Sequence, residues 1–211
     1  WFDENQRIFP WREDQATKYQ QIVSEILLQR TKAETVAKYY DTFFSKFPDW
    51  NALANASLEE LEEIMKPLGL YRHRARRLYK LGEDIRRRGG KIPGNENELR
   101  DSGFIGLYVT NAFELFILRN RKPLLDVNMS RLLKRYFKPG DFIDVRHDKE
   151  IQELANDIIE VRRCKELNWA ILDYAALVCK TRNPLCGECV LNKHCKYYGL
   201  SQGDVAEEPE Q

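Results

Sequence analysis

The stretch Cys179-Lys180-Thr181-Arg182-Asn183-Pro184-Leu185-Cys186-Gly187-Glu188-Cys189-Val190-Leu191-Asn192-Lys193-His194-Cys195 holds four of the chain's five cysteines in 17 residues. Their spacing is C-x6-C-x2-C-x5-C, and the fifth, Cys164, lies outside. Four thiolates in one short loop can surround a single metal centre. Disulfides are disfavoured by the odd cysteine count in a chain that reads as intracellular. Zinc takes four thiolates tetrahedrally, but zinc ribbons usually pair two C-x2-C units and only one is present. A cubane 4Fe-4S cluster is also held by four cysteines and tolerates compact, irregular spacing. Spacing alone leaves cluster and zinc both open. Lys180, Arg182, Lys193, His194 and Lys196 stand among the cysteines, where cations offset a negative centre or meet phosphates.

Working outward, the chain reads as all-α. Ile22, Val23, Ile26 and Leu27 recur at helical spacing within Tyr19–Thr31. Ser57 with Glu60 makes a capping box ahead of Leu58, Leu61, Ile64 and Met65. Leu68-Gly69 closes that helix, and a basic helix follows from about Tyr71 to Arg88 before Gly89-Gly90. Further helices are expected near Ile105–Leu118, Asn128–Phe137, Asp148–Val161 and Lys165–Val178. There is no sustained two-residue alternation and no hairpin dipeptide between apolar runs. Hydrophobic residues make up 43% of the 211, enough to build a core and too many for a disordered chain. The longest apolar runs, such as Ala175–Cys179, fall far short of the ~18 residues a membrane span needs. No secretion leader is visible from Trp1, so an intracellular place, cytoplasm or nucleoid, is expected.

The net charge of +1 hides a segregated distribution. Arg72, Arg74, Arg76, Arg77, Lys80, Arg86, Arg87, Arg88 and Lys91 face only Glu83 and Asp84 in their stretch. Arg119, Arg121, Lys122, Arg131, Lys134, Arg135 and Lys138 surround Asp126 alone. Acid gathers at Glu59, Glu60, Glu62 and Glu63 and in the stretch 201–211, which reads as a disordered tail. Such segregation suits a surface that neutralises a polyanion, although a single basic run can equally be a solvated helix face.

These residues together resemble a known family, the endonuclease III and MutY type helix-hairpin-helix DNA glycosylases. Cys179–Cys195 after Leu172-Asp173-Tyr174-Ala175-Ala176-Leu177-Val178 resembles the family's helix running into its iron–sulfur loop. Ile105-Gly106-Leu107-Tyr108 and Pro123-Leu124-Leu125-Asp126-Val127-Asn128 resemble its hairpin and the loop before its catalytic aspartate. Phe9-Pro10-Trp11-Arg12, Ser24-Glu25-Ile26-Leu27-Leu28-Gln29-Arg30-Thr31 and Leu68-Gly69-Leu70-Tyr71 with Arg72–Arg77 are similar to the adenine and thymine/uracil mismatch branches. The resemblance spans Trp1 to Tyr198. It implies a two-lobed fold: a helical lobe over 16–130 containing the hairpin, and a cluster lobe from 1–15 plus 131–200. It also implies a 4Fe-4S cluster on Cys179, Cys186, Cys189 and Cys195, and duplex DNA with a mispaired or damaged base as partner of a monomer.

Cleaving a C1′–N bond builds positive charge on the sugar, which an ionised carboxylate can stabilise or exploit by activating water. Asp126 is the candidate, and its structural alternative is an N-cap for the helix near Asn128. Tyr108 matches the position where the lyase branch has a Schiff-base lysine, so the resemblance implies a monofunctional enzyme. Lys122 and Lys134 are the remaining amines that could substitute. Glu25, set among Ile22, Ile26 and Leu28, could serve as general acid or hold the departing base; its alternative is a buried structural acid. Gln29 and Arg30 match the family's loop that fills the gap left by a flipped base. Asn128 would fix loop or sugar geometry, with Arg72 and Arg74 on the DNA side.

The hairpin departs from the family's Leu-Pro-Gly-Val-Gly, reading Ser102-Gly103-Phe104-Ile105-Gly106. Phosphate anchoring by Gly103 and Gly106 is thereby weakened. Thymine or uracil opposite guanine is the expected substrate, with adenine opposite guanine or 8-oxoguanine as the alternative that Glu25 also suits. The branch that removes adenine normally carries a second domain after the cluster, and only 11 residues follow Leu200 here. A catalytically silent DNA-binding module is the third reading.

Overall fold

The computed structural model describes residues 1–69, 71–101, 106–140, 144 and 147–202. Among these no strand occurs, and no helix is long and apolar enough to cross a membrane. The α-helices in chain order are α1 (Phe2–Asn5), α2 (Lys18–Leu28), α3 (Ala33–Lys46), α4 (Trp50–Asn55), α5 (Leu58–Met65) and α6 (Tyr71–Arg87). They continue with α7 (Glu96–Asp101), α8 (Leu107–Phe113), α9 (Val127–Phe137), α10 (Lys149–Ile158), α11 (Cys164–Leu177) and α12 (Lys196–Gln202). The chain divides into two compact units, Ile8–Asn120 and Trp1–Arg7 together with the chain from Arg121 onward.

The first unit is built on an aromatic core. Helix α3 buries Val36, Tyr40, Phe43 and Phe44, and Phe47 follows at its end, a one-sided stripe at helical spacing. Phe9 and Trp11 stack at 4.7 Å with planes 6° apart, and Trp11 reaches Tyr40 at 6.2 Å. Helix α5 starts at the expected capping box: the Glu60 N–H donates to Ser57 Oγ at 3.1 Å and the Ser57 N–H to Glu60 Oε2 at 2.9 Å. Gly69 ends the following turn at φ 67°, where a side chain would be strained. Gly82 lets α6 lie against α4, since a Cβ there would stand 2.7 Å from the Leu53 carbonyl oxygen. After α8 the backbone widens into a π-helical turn over Glu114–Leu118, closed by Arg119 at φ 61°.

In the second unit α9, α10 and α11 enclose Leu125, Met129, Leu132, Leu133, Ile151 and Ala175. Arg7 anchors the amino-terminal segment to α11: its N–H and Nε donate to the fully buried Asp173 carboxylate at 2.9 and 2.7 Å. Lys134 pairs with Asp148 at 2.6 Å, and Asp148 caps α10 through the Ile151 N–H.

The lobe boundaries differ from the 16–130 and 1–15 plus 131–200 expected above. Phe9 and Trp11 belong to the aromatic core of the first unit, so only residues 1–7 join the second. Leu125 and Met129 pack beside Tyr174, which moves the later boundary to Arg121. The stretch 201–211 lies outside the described residues except for Ser201 and Gln202, which close α12.

Candidate active site and cysteine loop

Asp126 stands at the N-cap of α9 in extended backbone. Its Oδ1 accepts the N–H groups of Asn128 and Met129, each at 2.8 Å, so the capping role and the proposed chemical role share one carboxylate. Oδ2 accepts from Asn128 Nδ2 at 2.7 Å, and Asn128 Oδ1 accepts from Arg131 Nη1 at 3.0 Å. Because arginine can only donate, it fixes the Asn128 amide with its oxygen toward Arg131 and its NH2 toward Asp126. That polarity favours an unprotonated carboxylate. Burial works the other way and pushes the Asp126 carboxyl above its ordinary range, against these hydrogen bonds and the Arg131 charge. Val127, the next residue, is 56% exposed.

The same helix grips the cysteine loop. Arg131 donates through Nε to the Cys179 carbonyl at 2.9 Å and through Nη2 to the Ala175 carbonyl at 2.8 Å, closing the end of α11. One turn on, Arg135 donates to the Lys180 and Thr181 carbonyls at 2.7 and 3.2 Å and lies 4.8 Å above the Tyr197 ring. Its Nη1 is also 3.5 Å from Cys179 Sγ.

Cys179, Cys186, Cys189 and Cys195 are free, half-buried thiols lining one hollow that opens to solvent. Burial pushes the Cys186 thiol up, and so does the charge of the other three cysteines. Yet among the described residues no three His, Cys, Asp or Glu side chains converge to hold a single metal ion. A zinc ion would need its sulfurs at ~2.3 Å from one point. A multi-iron cluster gives each of four thiolates its own iron, a donor set that the four cysteines lining one hollow supply.

In the other unit, Tyr108 on α8 donates its hydroxyl proton to Glu25 Oε2 on α2 at 2.7 Å. Glu25 is 3% exposed, buried between the apolar positions that the sequence pattern flanks it with. Tyr108 and Glu25 are thus hydrogen-bonded to each other within the first unit, and Asp126 belongs to the second. Gln29 caps α2, and Arg30 follows at φ 59°, exposed. Two arginines of α6 hold this turn: Arg74 donates to the Gln29 carbonyl and, at 3.1 Å, to that of Leu68, while Arg77 donates to Gln29 Oε1.

Arg74, expected on the DNA side, is 4% exposed and spent on those carbonyls. It sits inside the unit because it ties the turn after α2, at the Gln29 carbonyl, to the turn before α6, at the Leu68 carbonyl that Thr31 Oγ1 also reaches at 3.2 Å. Arg72 is exposed, its guanidinium 5.6 Å from the Tyr71 ring. Gly106 caps α8 in extended backbone, with open space where a Cβ would stand, and Gly103 lies outside the described residues. Lys134 is engaged by Asp148, which removes it as a ready nucleophile.

Residues 23–166, well over half of the chain, match the family described as HhH-GPD superfamily base excision DNA repair protein. The chain belongs to this superfamily. A thymine-DNA glycosylase of Aeropyrum pernix is 35% identical over 90% of the HhH-GPD chain and 86% of its own length. The human adenine DNA glycosylase is 31% identical over 93% of the chain, which spans only 38% of that longer protein. The solved structure of a thermostable thymine-DNA glycosylase superposes with a TM-score of 0.84 at 30% identity, covering 94% of this chain and 92% of that one.

One positioning residue of the HhH-GPD chain went unread in the sequence. Asn168 is fully buried on α11 and ties down the loop that leads to Asp126. It accepts the Leu124 N–H at 2.6 Å and donates to the carbonyls of Lys122 and Cys164 at 3.1 and 3.0 Å. A single asparagine inside the apolar run Leu167–Ala170 was the available signal.

Proposed function

We propose that this protein is a monofunctional base-excision DNA glycosylase that removes thymine or uracil mispaired with guanine in duplex DNA. The chain is a DNA glycosylase of the HhH-GPD superfamily, a hydrolase of N-glycosyl bonds. In the reaction the C1′–N bond breaks, its electron pair leaves with the base, and water adds to C1′. Asp126 stabilises the positive charge that develops on the sugar, or takes the proton of the attacking water. Glu25, with Tyr108 donating to one of its oxygens, holds or protonates the departing base. Tyr108 has no amine to form a Schiff base, so the product is an abasic site in an unbroken strand.

The observation that carries the reading is the polarised chain from Arg131 through Asn128 to Asp126, which presents an acceptor-only carboxylate at a helix start. The choice of base rests on likeness to thymine-DNA glycosylases over nearly the whole chain. Adenine opposite guanine or 8-oxoguanine is the second reading, favoured by buried Glu25 and by the human relative. Single-turnover assays on G·T, G·U and 8-oxoguanine·A duplexes distinguish them. Thymine or uracil release without strand cleavage is expected. Adenine release would move the protein to the other branch, and binding without any release would leave a silent module.

The four cysteines are proposed to hold a 4Fe-4S cluster, supported by their lining one hollow together and by Arg135 beside Cys179. When bound, the cluster would brace the loop against α9. Iron analysis should give about four irons per chain, and stoichiometric zinc would overturn this assignment.

A further inference from the structure

Tyr174 lies five positions before Cys179 on α11, buried, with its ring edge-on to Trp1 at 4.6 Å. A phenol has one proton to give and lone pairs to receive. The Val190 N–H, which can only donate, reaches the Tyr174 oxygen at 2.9 Å. The hydroxyl's own proton is therefore directed at Cys189 Sγ, 3.1 Å away. A neutral thiol is a poor acceptor, and a phenylalanine would fill the same space without burying a polar oxygen. A metal-bound thiolate, by contrast, makes a charge-assisted bond with such a donor. Arg135 is the weaker partner of the loop: its Nη1 is 3.5 Å from Cys179 Sγ and already donates to the Lys180 carbonyl at 2.7 Å.

We propose that Tyr174 tunes the metal centre of the cysteine loop, its hydroxyl donating to the Cys189 thiolate and thereby raising the centre's reduction potential. The inference rests on the reading that the four cysteines bind a 4Fe-4S cluster. Drawing charge off a ligating sulfur favours the reduced, more negative state. Removing the donor disfavours it.

The test is voltammetry of the iron-loaded protein, in which the electrode supplies and removes the single electron. Wild type is compared with Tyr174→Phe and with protein carrying 3-fluorotyrosine at position 174, a stronger donor of nearly the same shape, at a pH where it keeps its proton. The phenylalanine variant should shift to a more negative potential and the fluorinated one to a more positive potential, with iron content unchanged. Opposite shifts from two rings of one shape are beyond a purely packing role. Unshifted potentials with iron retained overturn the inference and leave the cluster assignment standing. Should the phenylalanine variant lose its iron, the fluorinated protein decides, and an unshifted potential there also overturns it. A wild-type protein without iron overturns the cluster assignment itself, and this inference with it.

Discussion

Asp126 is held between two opposed effects, and their balance has a measurable sign. Burial raises its carboxyl above the ordinary 3.8, so in the window above that value the native state keeps a proton the unfolded chain has lost. Stability contributed by this residue is present below the window and lost as pH rises through it. The chemistry needs the ionised form, so the acidic limb of the base-release rate should lie above 3.8. Asp126→Asn should lower release by about a hundredfold or more while DNA affinity persists, since asparagine caps a helix as well as aspartate. Urea unfolding across pH should show wild type gaining on the variant as pH falls through the window. Unchanged turnover would remove Asp126 from its role. The aspartate and Asn128 were legible because they stand together in one short motif. The bond between Glu25 and Tyr108 was not, because 83 positions separate them. Arg74 is claimed by the Gln29 and Leu68 carbonyls, a buried use that charge alone does not reveal.

At the scale of elements, local chemistry decided which helices could be foreseen. The capping box at Ser57 and the glycines at 69, 89 and 90 mark ends that the backbone respects, all three at positive φ. Helix α3 escaped notice because Thr35, Val36, Tyr39, Tyr40, Thr42, Phe43 and Phe44 favour strands by propensity, and packing against the aromatic core overrides them. The expected Ile105–Leu118 helix is α8 followed by a π-helical turn, a change of width that apolar periodicity does not encode. Gly82 was equally silent, its use being the close approach of α4. Gly82→Ala should destabilise the protein by about 1–3 kcal/mol, read from the urea midpoint at constant slope, since backbone atoms cannot step aside. Asn168→Ala should cost about 1–3 kcal/mol for each buried group left without a partner. It should also slow base release beyond what the lost stability explains when measured on fully folded protein, because the loop before Asp126 loses its tether. Equal rates would make Asn168 purely structural.

For the molecule as a whole, the all-helical architecture and the superfamily were legible from motifs in order, whereas the division into units was displaced by several residues at both ends. Long-range partners set those boundaries: Trp11 with Tyr40 on one side, Arg7 with Asp173 on the other. Net charge says little about DNA binding here, because α6 presents Arg72, Arg76, Arg77, Lys80, Arg86 and Arg87 on its exposed positions. Affinity for duplex DNA should therefore fall steeply with salt despite the overall +1, and neutralising Arg72 should reduce the logarithmic salt slope by about one if it meets a phosphate. An unaltered slope would clear Arg72 of that contact. Residues 1–7 close against a helix that begins at Cys164. During synthesis, then, the stretch from Ile8 to Asn120 is complete and able to collapse while residues 1–7 still wait for α11 to emerge from the ribosome.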